Sequence, residues 1–344
     1  MRTWRVVLVG FGTVGRGAAE RLRDSAAGLA DAGVDARVVG VLDPMLGSVV
    51  DPAGFDPAAL LEAAANGSLR DLAGATAAPE GIDAITSIDA DVVFEMTPTN
   101  LSDGEPGLGH VRAALAAGRH VATTNKGPVA LAWPELADLA QANGVQLRCE
   151  GTVMSGTPLL NVCESGLAAA GVRSVRGILN GTCNFILSQM EDGADYSDAL
   201  AQAQQLGYAE TNPAGDVEGW DAAAKVTILG NLVLGGALTL ADVDRAGIDG
   251  VTQRDVLTAV DAGTRLRLVG SVERRDGKVV EPKVGVEALV LGDPLAAVAG
   301  AGNLLTFDTE ALGPVSIAGP GAGRAETGHA LIADLIAIHR GASA

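Results

Sequence analysis

Short apolar runs alternate with amphipathic stretches along the first part of the chain. The apolar runs predict buried strands at 5–10, 36–43, 90–97 and 119–126. Between or after them, the 3.6-residue spacing of apolar positions predicts helices such as 110–118 and 134–144. Buried strands alternating with helices are typical of a parallel sheet covered on both faces. The pattern therefore predicts an α/β fold that begins with a doubly wound domain over residues 1–145.

The pattern changes after this domain. A helix is predicted at 216–234, and a strand-rich stretch follows at 265–291, with Arg275-Asp276-Gly277 as a hairpin turn. Strands that follow one another in this way suggest an antiparallel or mixed sheet. We expect a second, α+β domain over residues 146–318. Residues 47–81 are rich in Ala, Gly, Asp and Pro and are predicted to be a surface excursion.

Composition narrows the class of protein. With 24 Lys and Arg against 42 Asp and Glu, the net charge is −18, which disfavours binding to nucleic acid or to anionic membranes. No apolar run is long enough for a transmembrane span, and the start of the chain lacks a signal-peptide cleavage site, so we expect a cytoplasmic protein. The excess of acid, the scarcity of lysine and the 3% aromatic content are typical of halophilic proteins. Three dispersed cysteines predict neither a disulfide framework nor a transition-metal site.

The sequence GFGTVG directly follows the first predicted strand and precedes a helix. Gly10, Gly12 and Gly15 have the spacing of a dinucleotide-binding turn, in which the glycines allow a tight turn, close approach of a pyrophosphate and close packing of helix on strand. The N–H groups at the start of the helix can bind phosphate. The predicted cofactor is NAD(P), and the predicted contacts in this turn are Gly10, Phe11, Gly12, Thr13, Val14 and Gly15.

An acidic residue at the end of the second strand should bind the ribose hydroxyls. Asp43 has this position, and no arginine follows it closely in sequence to accept a 2′-phosphate. This favours NAD, although Arg16 leaves NADP open.

A lysine among carboxylates is the strongest catalytic candidate. The chain has only four lysines, and Lys225 follows Asp221 by one helical turn within a mostly apolar segment. A surface ion pair is the alternative, but a buried ammonium beside a carboxylate is a positioned proton donor. Glu210 and Asp216 then remain to bind an ammonium-bearing substrate.

From end to end, the chain resembles the homoserine dehydrogenases. The resemblance is carried by GFGTVG, TTNKGPVA, ILNGTCNFIL, the GYAE stretch with its downstream WDAAAK, and GPGAG. It implies reduction of L-aspartate 4-semialdehyde to L-homoserine with NAD(P)H, on the route to threonine and methionine. It also implies a homodimer joined through the second domain, and a C-terminal segment, 319–344, that completes the first domain.

The resemblance also implies roles for individual residues. Lys225 matches the proton donor, Lys126 a lysine near the nicotinamide, and Asp221 a residue that holds the substrate. The other implied substrate contacts are Gly181, Thr182, Tyr208, Glu210 and Asp216, and the other implied cofactor contacts are Thr97, Gly207 and Gly321. A monovalent cation, Na⁺ or K⁺, is implied at Glu150, Val153, Ser155 and Thr157.

Two departures qualify the resemblance. The stretch TNPAG before Asp216 is less acidic than is usual in the family. The chain ends at residue 344, so we expect neither the C-terminal regulatory domain of longer members nor feedback inhibition through it.

Two other functions remain open from the residues alone. A semialdehyde dehydrogenase that forms an acyl phosphate needs a nucleophilic cysteine, for which Cys149 or Cys183 would serve. A nucleotide-sensing protein would bind the cofactor without turnover.

Overall fold

The computed structural model describes residues 1–79 and 81–342, which divide into two compact units. The first comprises Met1–Asn161 and the C-terminal segment that begins at Ala322. The second comprises Val162–Gly321. The first unit thus includes residues 146–161, which the sequence pattern had grouped with the second domain.

The strands of the two units are β1 (Arg2–Val9), β2 (Val34–Leu42), β3 (Val49–Phe55), β4 (Thr76–Ala77), β5 (Val92–Glu95), β6 (His120–Thr123), β7 (Leu147–Arg148), β8 (Val172–Ile178), β9 (Asp244–Arg245), β10 (Thr264–Arg275), β11 (Lys278–Val290), β12 (Gly302–Thr309) and β13 (Gly313–Pro320).

The helices are α1 (Thr13–Asp24), α2 (Ala26–Asp31), α3 (Pro57–Ala65), α4 (Gly81–Ser87), α5 (Gly107–Ala116), α6 (Lys126–Ala142), α7 (Gly151–Met154), α8 (Leu160–Gly166), α9 (Gly181–Glu191), α10 (Tyr196–Gln205), α11 (Ala214–Val217), α12 (Trp220–Leu232), α13 (Gln253–Asp261) and α14 (Arg324–Gly341).

The first unit contains a sheet with the strand order β4-β3-β2-β1-β5-β6-β7. Strands β2, β1, β5, β6 and β7 are parallel, and β3 and β4 extend the sheet in antiparallel fashion. Successive residues of β1 enter opposite cores: Val6 and Leu8 pack in one, Val7 and Val9 in the other. Because both faces are covered, residues 6–9 of the strand are all apolar and buried, and the predicted doubly wound domain is confirmed.

The segment 47–81 differs from its prediction. Instead of a surface excursion, it contains β3, α3 and β4 and forms one edge of the sheet, with Glu80 outside the described residues. The strand signal is weak because β3 includes Pro52 and Gly54. Both residues lie beyond the short pairing of β3 with β4, which involves only Val49 and Val50, so proline is tolerated there as on an edge strand.

The second unit contains a mixed sheet with the order β13-β12-β8-β10-β11-β9. All pairs in it are antiparallel except β11–β9. The predicted hairpin joins β10 to β11 through Asp276 and Gly277, both of which have positive φ. Helices α9, α12 and α13 pack against β10, which gives the α+β arrangement expected from the sequence.

The predicted helix 216–234 is interrupted. Short α11 ends at Val217, Gly219 adopts a left-handed conformation, and α12 starts at Trp220. The interruption places Asp221 in the first turn of α12, one turn before Lys225. Among the described residues, none of the helices is long and apolar enough to cross a membrane.

Helices α1 and α14 of the first unit meet at two glycines. A Cβ on Gly328 would lie 2.4 Å from the carbonyl carbon of Gly17, and a Cβ on Gly17 would lie 2.1 Å from the carbonyl oxygen of Arg324. The helices can therefore approach this closely only because both residues lack a side chain.

We predict that Gly328→Ala lowers the free energy of unfolding by about 1–3 kcal/mol, because the added methyl group overlaps backbone atoms of α1. This would occur although alanine is the better helix former. Gly28→Ala is the control, since a Cβ on Gly28 meets nothing within 4 Å. Urea denaturation of both variants tests this, and an unchanged midpoint for Gly328→Ala would contradict the packing described here.

Candidate functional site

The glycine turn of the first unit has the geometry of a dinucleotide-binding loop. Gly10 has φ +88°, and a Cβ on Gly15 would lie 2.3 Å from the carbonyl oxygen of Gly10. A Cβ on Gly12 would meet nothing within 4 Å, so the backbone there is open to a ligand. Helix α1 begins immediately afterwards at Thr13, and the N–H groups of its first turn have no partner within the helix. Phosphate can bind at such a helix start.

The carboxylate of Asp43 holds the glycine turn through a hydrogen bond. It lies just after β2 and is 8% exposed. One of its oxygens accepts the backbone N–H of Phe11 at 2.8 Å, and the other accepts those of Met45 and Leu46 at 2.9 and 3.0 Å. Asp43 therefore links the end of β2 to the glycine turn, a role that its sequence position did not reveal.

An arginine distant in sequence contacts the loop that follows β2 and Asp43. The side chain of Arg70 packs against Gly47, where a Cβ would lie 2.8 Å from the arginine side chain. Sequence spacing alone could not show this cation. It is a second candidate, besides Arg16, for contact with a 2′-phosphate.

The other predicted cofactor contacts of the first unit lie at the same edge of the sheet. Thr97 follows β5, and Lys126 begins α6 after β6, so both are at the carboxyl ends of two neighbouring parallel strands. Ligands of doubly wound sheets bind at this edge, where the strand order reverses. Gly207 and Gly321 are residues of the second unit.

Lys225 is buried in the second unit. It is 7% exposed, and its Nζ lies 2.8 Å from Asp221 Oδ2 and donates a hydrogen bond to the carbonyl oxygen of Leu179 at 2.7 Å. A buried ammonium needs such partners, because an unpaired buried charge is costly. The alternative of an exposed surface ion pair is thereby excluded.

Asn180 organises the carboxylates around this lysine. Its Nδ2 donates to Asp216 Oδ1 at 2.7 Å and to Asp221 Oδ2 at 2.9 Å, while its Oδ1 accepts the backbone N–H of Cys183 at 2.8 Å and caps α9. Sequence reasoning missed this residue, although it directly precedes Gly181.

The start of α9 brings together most of the predicted substrate contacts. Gly181 and Thr182 form its first turn, and the Thr182 hydroxyl donates to the backbone oxygen of Tyr208 at 2.7 Å. Asp216, Asp221 and Lys225 join them through the contacts of Asn180. The two aspartates and one lysine carry a net negative charge, which suits a ligand with an ammonium group. Glu210 is exposed, and its backbone oxygen accepts a hydrogen bond from Gln204 at 3.0 Å.

The cysteines have the wrong environment for a nucleophile. Burial raises the pKa of the Cys149 thiol well above 9, and the charges of Asp334 and Glu150 add to the effect. Burial also raises the pKa of Cys183, with Asp216 and Asp221 nearby. Catalysis through cysteine requires the thiolate, so this geometry disfavours the acyl-phosphate-forming semialdehyde dehydrogenase.

Glu150 was predicted as a cation ligand, but its carboxylate already has three partners. It accepts the backbone N–H groups of Leu159, Leu160 and Asn161 at 2.7, 2.9 and 2.7 Å. The backbone N–H of Glu150 in turn donates to Asp334, whose pKa is raised to about 8 by burial and by the charge of Glu150. A monovalent cation would suit the negative charge here, but the Glu150 carboxylate does not require one.

The remaining predicted cation ligands lie in the same segment. Val153, Ser155 and Thr157 are buried, and Ser155 has an unusual positive φ of 53°. No cluster of three or more His, Cys, Asp or Glu side chains able to hold a metal ion occurs within residues 1–79 and 81–342.

Comparison with known proteins gives a consistent assignment. Residues 10–150 match the family model described as homoserine dehydrogenase, NAD binding domain, and residues 158–336 match that of homoserine dehydrogenase. An NAD(+)-dependent homoserine dehydrogenase of Pseudomonas canavaninivorans is 41% identical, with 100% of this chain and 98% of the relative covered. The homoserine dehydrogenase of Methanocaldococcus jannaschii is 37% identical, with 97% of this chain and 98% of the relative covered.

Solved structures support the same family assignment. The crystal structure of a putative homoserine dehydrogenase from Archaeoglobus fulgidus matches with a TM-score of 0.87 and 35% identity, over 97% of this chain and 99% of that one. A hyperthermophilic archaeal homoserine dehydrogenase in complex with NADPH matches with a TM-score of 0.84 and 27% identity, over 99% and 98%. On these grounds, the chain belongs to the homoserine dehydrogenase family.

Proposed function

We propose that this protein reduces L-aspartate 4-semialdehyde to L-homoserine with NAD(P)H, and that Lys225 donates the proton. The observation that carries the proposal is the buried Lys225 ammonium, held by the Asp221 carboxylate and the Leu179 carbonyl. The family, the dinucleotide-binding geometry of the first unit and the negative charge around Lys225 support it.

The chemistry divides between the cofactor and the residues of the second unit. Bound NAD(P)H supplies the hydride, and the carbonyl oxygen gains negative charge as the aldehyde is reduced. Of the three N–H donors of Lys225, two are directed to Asp221 and Leu179, so one remains for that oxygen. Asp221 and Leu179 fix the position of Nζ, which is what general acid catalysis requires.

The amino-acid part of the substrate has matching partners. Asp216 and Glu210 are proposed to bind its ammonium group. The N–H groups of Gly181 and Thr182, at the start of α9, are proposed to bind its carboxylate. Asp221 is proposed to hold the substrate as well as the lysine.

Cofactor contacts are proposed for both units. In the first unit, these are the glycine turn, Asp43, Thr97 and Lys126, with Lys126 near the nicotinamide. In the second unit, they are Gly207 and Gly321. Asp43 supports a preference for NAD.

The oligomeric state, the salt adaptation, the cellular location and a bound cation are further parts of the proposal. A homodimer formed through the second unit, as the resemblance to the family implies, is part of the proposal. The net charge of −18 supports a salt-adapted surface, and use of NAD(P)H supports a cytoplasmic location. We also propose that a monovalent cation at Glu150, Val153, Ser155 and Thr157 would stabilise that segment.

Lys225→Arg tests the proton donor. We expect turnover of aspartate semialdehyde to fall by ~10²-fold or more, the scale of general acid–base catalysis, because arginine keeps the charge but does not release its proton. Affinity for NADH should stay within twofold. The measurement is NADH absorbance, with Lys283→Arg, an exposed lysine of the same unit, as the control. Near-normal turnover in Lys225→Arg would mean that Lys225 is not the proton donor. Wild-type protein that binds NADH but does not turn over aspartate semialdehyde would instead favour a nucleotide-sensing protein.

Asp43→Ala tests the cofactor preference. We expect NAD to lose more affinity than NADP, because the carboxylate binds the free ribose hydroxyls of NAD and repels a 2′-phosphate. Dissociation constants for both cofactors measure this, with Asp83→Ala on α4 as a control of equal charge change. Equal losses for the two cofactors would mean that Asp43 acts only as the brace of the loop.

A further inference from the structure

Glu95 is a buried carboxylate for which the reaction described above has no use. It is the last residue of β5 and is 0% exposed. Its position is the carboxyl end of the strand next to β1, at the edge where a doubly wound sheet binds its ligand. Burying a carboxylate at this depth is costly unless its oxygens have partners, so its contacts are informative.

The two carboxylate oxygens of Glu95 hold two different segments. Oε1 accepts the backbone N–H of Thr97 at 3.0 Å and also a short hydrogen bond from the Thr97 hydroxyl. Oε2 accepts the hydroxyl of Thr123, at the end of β6, at 3.1 Å. Glu95 therefore ties the loop after β5 to the end of the neighbouring strand.

The same network extends to the start of α6. The Thr123 hydroxyl accepts the backbone N–H of Asn125 at 3.0 Å, and Asn125 Nδ2 donates to the Thr97 hydroxyl at 3.3 Å. Asn125 Oδ1 accepts the backbone N–H of Gly127 at 3.0 Å and so caps α6, whose first residue is Lys126. One buried carboxylate thus sets the geometry of both Thr97 and Lys126.

A histidine on α5 completes the cluster. Nδ1 of His110 lies 3.7 Å from Glu95 Oε1, is buried and has no hydrogen-bond partner. Helix α5 starts close to this point, since a Cβ on Gly107 would lie 2.4 Å from Asn125 Nδ2 and 3.3 Å from Glu95 Oε1. His110 is therefore placed to contact the Glu95 carboxylate from α5.

We propose that Glu95 is a positioning residue for the nicotinamide half of the cofactor, with His110 of α5 as its neighbour. Glu95 fixes the loop that carries Thr97 and the first turn of α6, so that Thr97 and Lys126 meet the nicotinamide in one arrangement. The inference rests on the proposed NAD(P)-dependent function. It concerns one half of the cofactor, because the pyrophosphate and adenine side depends on the glycine turn and Asp43.

The test separates the two halves of the cofactor. Isothermal titration of the full chain with NADH and with ADP-ribose, which lacks the nicotinamide, gives two dissociation constants for each variant. For Glu95→Gln we expect about tenfold weaker binding of NADH, the usual effect of losing a hydrogen bond to a charged group, and ADP-ribose affinity within twofold of wild type. His110→Gln should weaken NADH binding in the wild-type background and add little in Glu95→Gln, since the pair is then already broken.

The matched control is Asp91→Asn. Asp91 immediately precedes β5, and its carboxylate accepts the backbone N–H of Arg5 at 2.8 Å, at the opposite end of the same strand. The Asp91→Asn substitution should lower the stability of the protein and leave the ratio of the NADH and ADP-ribose dissociation constants unchanged. If Glu95→Gln does not fold, Thr123→Ala removes one arm of the network and should show the same selective loss of NADH.

The outcomes are distinct. Loss of NADH affinity without loss of ADP-ribose affinity supports the proposal. If Glu95→Gln binds both ligands as tightly as wild type and only its melting temperature is lower, the proposal is wrong and Glu95 has a structural role alone. Wild-type protein that binds neither ligand would overturn the proposed function and this inference with it.

Discussion

The buried ammonium of Lys225 imposes the main constraint on the second unit. A charge at this depth must be held by acceptors, and the Asp221 carboxylate and the Leu179 carbonyl supply them at 2.8 and 2.7 Å. These two contacts join α12 to the end of β8. Asn180, the next residue, holds Asp221 and Asp216 and caps α9, so the end of β8 determines where both helices begin. Removal of Asp221 would leave the Lys225 ammonium without its counter-charge, which couples the stability of this unit to the proposed proton donor.

Carboxylates have a comparable organising role in the first unit. Asp43 holds the glycine turn through the N–H of Phe11, Glu95 holds the loop of Thr97, and Glu150 holds three consecutive N–H groups after α7. Each is at least 90% buried and bonded to backbone. Because they bind main-chain groups, they shape loops that carry few regular hydrogen bonds of their own. The loops at the carboxyl edge of the sheet are thereby fixed before a ligand binds, which reduces the cost of ordering them.

The features that the sequence predicted correctly depend on local spacing. The glycine turn, the Asp276-Gly277 hairpin and the one-turn separation of Asp221 and Lys225 follow from a few neighbouring residues. The strands β3 and β4 were missed because their composition is that of a loop and their pairing depends on β2. Asn180 and Glu95 were missed because their partners are distant in the chain: Asn180 binds residues 36 and 41 positions away, and Glu95 binds Thr123, 28 positions away. No periodicity encodes such contacts, whereas the resemblance to a family supplied residues such as Thr97 that no local pattern would have selected.

The most direct test of the account follows the hydride itself. Purified protein is incubated with L-aspartate 4-semialdehyde and NADH that carries deuterium at the transferred position of C4, and the product is analysed by mass spectrometry. The account predicts L-homoserine with one deuterium on the carbon that bears the new hydroxyl group, formed at the rate at which NADH is consumed. Oxidation of NADH without deuterium in homoserine, or an absence of homoserine at every salt concentration tested, would contradict it.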